Sequence, residues 1–346
     1  MGRVGVRKVM TVLLVSVPAV ILLYLALGPT VISPLLLFNS SATAADPMLA
    51  RDALILSAIR LPRVLMAGLV GASLACCGAA MQGLFRNPLA DPSLIGVSSG
   101  ASAGASFSIV IGAGWIDSSA ILGLSVVSLG AVVGAIIAVF LVYRLATNRY
   151  GTSVVTMLLS GVAIGAVASA LNSLFSYFAD SDMLRRISIW QMGNLDGATW
   201  ERVFLIFVVA LILCWRLPQH CRALNAFLLG ESEARYLGIR VERVKKELVL
   251  ITALAVGIGV VVCGNIAFVG LVVPHILRSL IGPDHRTLIP ASALAGAILL
   301  IVADIVARTV IAPAELPAGI LTSLVGAPVF FFLLVKSKVL NNPERL

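Results

Sequence analysis

The chain of 346 residues is 60% hydrophobic and only 12% charged, with a mean hydropathy of +1.05. Soluble domains carry about 25% charged residues, so a water-soluble fold is excluded and a polytopic membrane protein is indicated. The formal net charge of +9 does not imply nucleic acid as a partner, because membrane proteins gather basic residues at their cytoplasmic face. Five cysteines, Cys76, Cys77, Cys214, Cys221 and Cys263, lie in or beside apolar runs. They read as small buried hydrophobes, not as a disulfide framework. No CxxC or HExxH spacing is present, so no catalytic residue, metal site or bound cofactor is predicted.

Apolar runs able to cross about 30 Å of hydrocarbon fall at 9–28, 62–83, 94–112, 119–142, 153–175, 201–217, 247–263, 265–281, 288–307 and 319–335. The first follows Arg3, Arg7 and Lys8 and exceeds the about 7–15 apolar residues of a signal peptide, so it is read as a span. Gly264 and Asn265, with Pro274 further on, divide the seventh run from the eighth. The prediction is an all-α, single transmembrane domain over 1–346 with ten transmembrane helices and both termini on one side. Placing that side in the cytoplasm leaves Arg51, Arg60, Arg63, Arg185, Arg186, Arg202 and Arg308 outside and the other 18 of the 25 basic residues inside. The positive-inside rule supports that orientation.

Three connections carry information. The outside stretch 29–59 holds few charges. A second outside stretch, 176–200, mixes Met183, Leu184, Ile187 and Ile189 with Asp180, Asp182, Arg185 and Arg186. It predicts a surface helix with Trp190 and Trp200 as interfacial anchors. The inside loop at 218–246 contains LGESEARYLG at 229–238, with Glu231 and Glu233 early, Arg235 late and Gly238 as a stop. That order of charges suits the helix dipole and glycine suits the C-cap, so a short helix is expected there, followed by a basic run. Such a helix serves either as a solvated connector or as a docking element for a soluble partner.

Small residues recur four apart at Gly96, Gly100 and Gly104, at Ala67, Gly71 and Ala75, and at Gly161 and Gly165. This spacing lets membrane helices approach closely. The stretch GVSSGASAG at 96–104 is not a phosphate loop, since no lysine follows it and it lies in a membrane helix. If ATP drives the protein, another subunit binds it. Ionisable residues within spans are few. Asp304 and Arg308 are spaced to pair, and His275 after Pro274 suits a structural hydrogen bond better than a proton relay. An ion-coupled secondary carrier, motivated by Asp304 and His275, stays as the alternative of another class.

Taken together, several motifs resemble one family. These are RLPR at 60–63, QGLFRNPLADP at 82–92, GVSSG at 96–100, LGESEARYLG at 229–238, FVGLVVPH at 268–275, DHR at 284–286, ADIVAR at 303–308, ELPAG at 315–319 and GAPVF at 326–330. In that order they are similar to the FecCD permeases of iron-chelate and vitamin B12 ABC importers, and they extend over nearly the whole chain.

The resemblance implies a type II ABC importer permease fold in the bacterial inner membrane, a homodimer, two ATPase subunits carrying ATP and Mg, and a periplasmic substrate-binding protein. It implies that Arg60, Arg63 and Arg308 dock the binding protein. It further implies that Gly230, Glu231, Ala234, Arg235, Leu237 and Gly238 dock the ATPase. The fifth helix of the family lines the pathway, which makes Ser160, Gly161, Gly165, Ser169, Asn172 and Ser173 candidates here. The stretch 180–195 (DSDMLRRISIWQMGNL) looks most like haem permeases, so haem is the expected cargo, ahead of ferric siderophores and cobalamin.

Overall fold

The computed structural model describes residues 5–28, 30–38, 46–112, 125–149 and 151–341. Helix α1 (Val6–Ala26) leads to α2 (Pro47–Leu54), which continues through a π-helical turn (Ile55–Arg60) into α3 (Leu61–Leu84). Part of the expected outside loop at 29–59 is therefore helix. A tight turn then enters α4 (Val97–Val110), followed by α5 (Val126–Ala146), α6 (Val154–Phe178), the surface helix α7 (Ser181–Gln191) and α8 (Trp200–Phe227). The chain closes with α9 (Glu231–Tyr236), α10 (Val241–Cys263), α11 (Val269–Ile281), α12 (His285–Thr309) and α13 (Ala318–Asn341). Strands β1 (Thr147–Asn148) and β2 (Gly151–Thr152) form a minimal antiparallel pair between α5 and α6.

Each of the ten predicted runs holds a helix, and residues 119–124 of the fourth run lie outside the described residues. Among the described residues, seven helices are long and apolar enough to cross a membrane: α1, Pro47–Leu84, α5, α6, α8, α10 and α12. The other three, α4, α11 and the part of α13 to Leu333, are shorter. The break between α10 and α11 falls where predicted, with Gly264 at φ 73° and Phe268 at φ 67° turning the chain.

The expected boundary at 217 is wrong by ten residues, because α8 runs through Pro218 to Phe227. A proline removes one helical hydrogen bond. Burial of Leu217, Cys221, Leu224 and Phe227 on one stripe outweighs that loss. The predicted loop at 218–246 thus shrinks to a short connection around α9.

The small-residue pattern is matched by partners on neighbouring helices. Gly100 and Gly104 on α4 lie against the backbone of Gly134 and Gly130 on α5, and a Cβ at any of the four would overlap a neighbouring atom. Gly71 meets Gly296 on α12, and Gly78 meets the Gly270 carbonyl of α11. Backbones thus touch at three crossings, the geometry that replaces hydrophobic drive between helices in lipid. Helices α1, α5 and α6 leave Val12, Leu14, Phe140 and Leu159 exposed, as apolar faces meant for lipid or another chain.

Candidate functional site

A cavity of about 600 Å³ runs beside α6. From α6 it takes Gly161, Val162, Gly165, Ser169, Asn172 and Ser173, and from α4 it takes Ser98, Ser99 and Ser102. Asp91, Ser93, Gln191, Asn265 and Ala267 complete the wall from the connecting segments and the end of α7. Between Gly161 and Ser173 the helix rises about 18 Å, at 1.5 Å per residue, so the cavity extends along much of a crossing. Asn172 accepts a hydrogen bond from Ser106 Oγ (2.7 Å) and donates to Ser102 Oγ (3.2 Å), fixing its amide across α4.

Five of the six sequence candidates line this cavity. Ser160 does not, being buried on another face, and Gly161 also packs against the Leu94 carbonyl. Sequence reasoning missed Ser98, Ser99, Ser102, Gln191 and Asn265. The serines could have been found, since 98, 99 and 102 share one helical face.

The three arginines expected to meet a binding protein do come together, at the end of the bundle named here after Arg63. All three are buried, at 3% exposure for Arg60, 5% for Arg63 and 3% for Arg308. Arg63 grips Asp304 with two hydrogen bonds, Nε to Oδ2 at 2.9 Å and Nη2 to Oδ1 at 2.8 Å. Its Nη1 reaches Asp196 (2.7 Å) and Glu315 (2.8 Å) on two connecting segments. Tyr24 Oη of α1 donates to Asp304 at 2.5 Å, and Arg308 lies 4.0 Å over the Tyr24 ring and 3.7 Å from Asp304. Arg60 donates to the carbonyls of Leu25 (2.6 Å) and Thr30 (2.5 Å).

The expectation that these guanidiniums reach outward is therefore corrected. At the head of an apolar helix, carboxylates and free carbonyls are nearer than water, and a buried cation must be paired. The groups that reach solvent here are Asp196 and Glu315, with side chains 46% and 29% exposed. Burial opposes ionisation of Asp196, but its hydrogen bond with Glu315 and the Arg63 charge carry it below the usual carboxylate range. Burial and the same hydrogen bond push Glu315 above that range.

At the opposite end, named after Lys245, α9 forms as predicted. Gly230 (φ 137°) and Gly238 (φ 78°) bracket it, and Ala234 is buried beneath it. Glu231 turns inward to Lys245 Nζ at 2.7 Å. Arg235 pairs with Glu242 at 3.7 Å but stays 58% exposed. Leu229, Tyr236 and Leu237 are exposed, an apolar patch on a polar face. Of the six residues suggested for ATPase docking, Arg235 and Leu237 present side chains outward, whereas Gly230, Glu231, Ala234 and Gly238 shape or anchor the helix.

The two residues that motivated an ion-coupled carrier are both engaged. Asp304 has no exposed surface and is held by Arg63, and His275 Nδ1 sits 3.2 Å from the Pro88 carbonyl. Among the described residues, no group of three or more His, Cys, Asp or Glu is placed to hold a metal.

Comparison with known proteins agrees with this arrangement. The model of the FecCD transport family matches residues 13–336. The hemin transport system permease HmuU of Yersinia pestis is 43% identical over 280 residues, covering 81% of this chain and 83% of the relative. The vitamin B12 import system permease BtuC of Salmonella typhi is 44% identical over 292 residues, covering 84% and 87%. An inward-facing metal-chelate-type ABC transporter superposes with a TM-score of 0.82 at 31% identity, covering 95% of this chain and 99% of that one. The chain is a multi-pass transport subunit, not an enzyme, and it belongs to the FecCD transport family of ABC importer permeases.

Proposed function

We propose that this permease moves an iron chelate, haem before ferric siderophores or cobalamin, inward across the bacterial inner membrane. In this reading the chain makes ten crossings with cytoplasmic termini and works as a homodimer. The Lys245 end faces the cytoplasm and two ATPase subunits, which carry ATP and Mg. The Arg63 end faces a periplasmic substrate-binding protein, where the buried arginines hold the shape of the docking face.

The observation that carries the reading is the cavity along α6. Its walls mix hydroxyls, amides and glycine with the apolar Leu94, Val162, Ile266 and Ala267, and Asp91 is the one ionisable group among the described lining residues. Such a surface lets a bulky cargo slide without a strong site, which suits a subunit that receives cargo from one protein and is driven by another. For haem in particular, support comes from the likeness of 180–195 to haem permeases; this segment contains α7, whose last residue, Gln191, lines the cavity. Relatives named for hemin and for vitamin B12 match about equally well, at 43% and 44% identity.

The test is reconstitution in liposomes with the cognate ATPase and binding protein. ATP-dependent uptake of haem, exceeding that of a ferric siderophore and of cobalamin, is expected. Uptake of a siderophore with none of haem overturns the cargo assignment. Uptake by the isolated chain under a proton gradient without ATP overturns the whole reading.

A further inference from the structure

Lys245 is a lysine with 3% exposure on the buried stripe of α10, in line with Val241, Leu248 and Thr252. A cation so placed must be satisfied on several sides. Its Nζ donates to Glu231 Oε2 of α9 at 2.7 Å, to the Thr152 carbonyl of β2 at 2.9 Å and to Glu242 of its own helix at 3.4 Å. The Glu242 carboxylate in turn accepts the Thr152 backbone N–H at 2.7 Å, and it fills the space where a side chain on Gly151 (φ 124°) would stand. One residue later, Ser153 caps α6, the helix that lines the cavity, by accepting from Thr156 N.

Three elements therefore meet at one ammonium group, α9, α10 and β2, and β2 leads directly through the Ser153 cap into α6. A second route, from Arg235 of α9 through Glu242 to the Thr152 N–H, begins at a looser and more exposed ion pair of 3.7 Å. We propose that Lys245 is the residue that transmits movement of α9 to α6, so that it couples ATP turnover to opening of the cavity. It is a positioning residue, acting through Glu231 and Thr152 without touching cargo or nucleotide. This inference rests on the reading of α9 as the ATPase docking element.

The buried ammonium cannot reach water in place of its two carboxylates and backbone carbonyl, so a shift of α9 pulls β2 and the first turn of α6 with it. A surface contact alone would pass no such displacement. Burial of Lys245 also separates its role from docking, because its side chain offers nothing to a partner.

The experiment uses the full complex in liposomes and compares wild type, Lys245→Met, Lys245→Arg and Glu231→Gln, with Leu237→Glu as the docking control. For each, ATPase co-purification, ATP hydrolysis and cargo uptake are measured. Lys245→Met is expected to bind the ATPase and hydrolyse ATP while uptake per ATP falls about tenfold, with partial recovery in Lys245→Arg. Glu231→Gln keeps a hydrogen bond but loses the ion pair, so a smaller fall of a few-fold is expected; it also decides the matter if Lys245→Met does not fold. Wild-type uptake per ATP in Glu231→Gln and in any folded Lys245→Met overturns the inference. Leu237→Glu is expected to abolish co-purification. If it binds the ATPase normally, the docking reading of α9 fails instead, whatever the coupling ratios show.

Discussion

The two ends of the bundle each bury one cation among three oxygen-bearing partners, yet they are built differently. At one end Arg63 faces Asp304, Asp196 and Glu315; Asp304 has no exposed surface and two flat groups meet in a bidentate pair. At the other, Lys245 faces Glu231, Glu242 and a backbone carbonyl, and the Glu231 and Glu242 side chains remain 30% and 41% exposed. Arginine suits the first site because its planar fork fixes geometry, while the single ammonium of lysine tolerates movement of its partners. The Arg63 cluster, tying α1, α3 and α12, is a fixed anchor. The Lys245 cluster, tying a surface helix to a turn, can transmit displacement.

Breaking each cluster should separate these roles. Asp304→Ala leaves Arg63, Arg308 and the Tyr24 hydroxyl without their common acceptor, and a loss of about 3–5 kcal/mol in folding stability is expected. Thermal unfolding in detergent measures it, and a loss below about 1 kcal/mol would remove the anchor role. Lys245→Met should cost less, about 1–3 kcal/mol, because Glu231 and Glu242 can turn to water. Equal losses at both ends would erase the distinction.

The smallest effect concerns pH. Glu315, raised in the folded state, contributes stability below its unfolded pKa and loses it as pH climbs through the folded value. Asp196, lowered, contributes above its unfolded pKa and loses it as pH falls through the folded value. The pair is therefore most favourable between those two folded values, with one proton shared. Glu315→Gln mimics the protonated form, so it should flatten the alkaline side of a melting-temperature profile and leave the acid side unchanged. The change should stay within about 1 kcal/mol, since both groups touch solvent.

Hydropathy and charge made the helices and their order readable, because spans in lipid must be apolar and internally hydrogen-bonded. Glycine spacing revealed which faces pack closely but not their mates; Gly130, Gly134 and Gly296 became visible only when the helices met. The candidates on α6 were readable as far as their face, and Ser160 was lost because one step around a helix moves a side chain by about 100°. Arg60, Arg63 and Arg308 were expected to point outward and instead turn into the bundle. A sequence shows that a charge lies at a helix end, whereas the carboxylate that turns it inward, Asp304, lies 241 residues from Arg63. Lys245 was hidden within the basic run 240–246, although its place on the apolar stripe of Val241 and Leu248 was a usable signal.

Cysteine labelling in the cavity tests the central claim, that the space along α6 is the pathway and opens under ATP, most directly. Ser169→Cys is placed in a Cys214→Ser background, since the remaining four cysteines are buried, and the full complex is reacted with a water-soluble maleimide. The account predicts that labelling changes severalfold when the ATPase binds nucleotide and is blocked while cargo is crossing. Labelling indifferent to both nucleotide and cargo would contradict it.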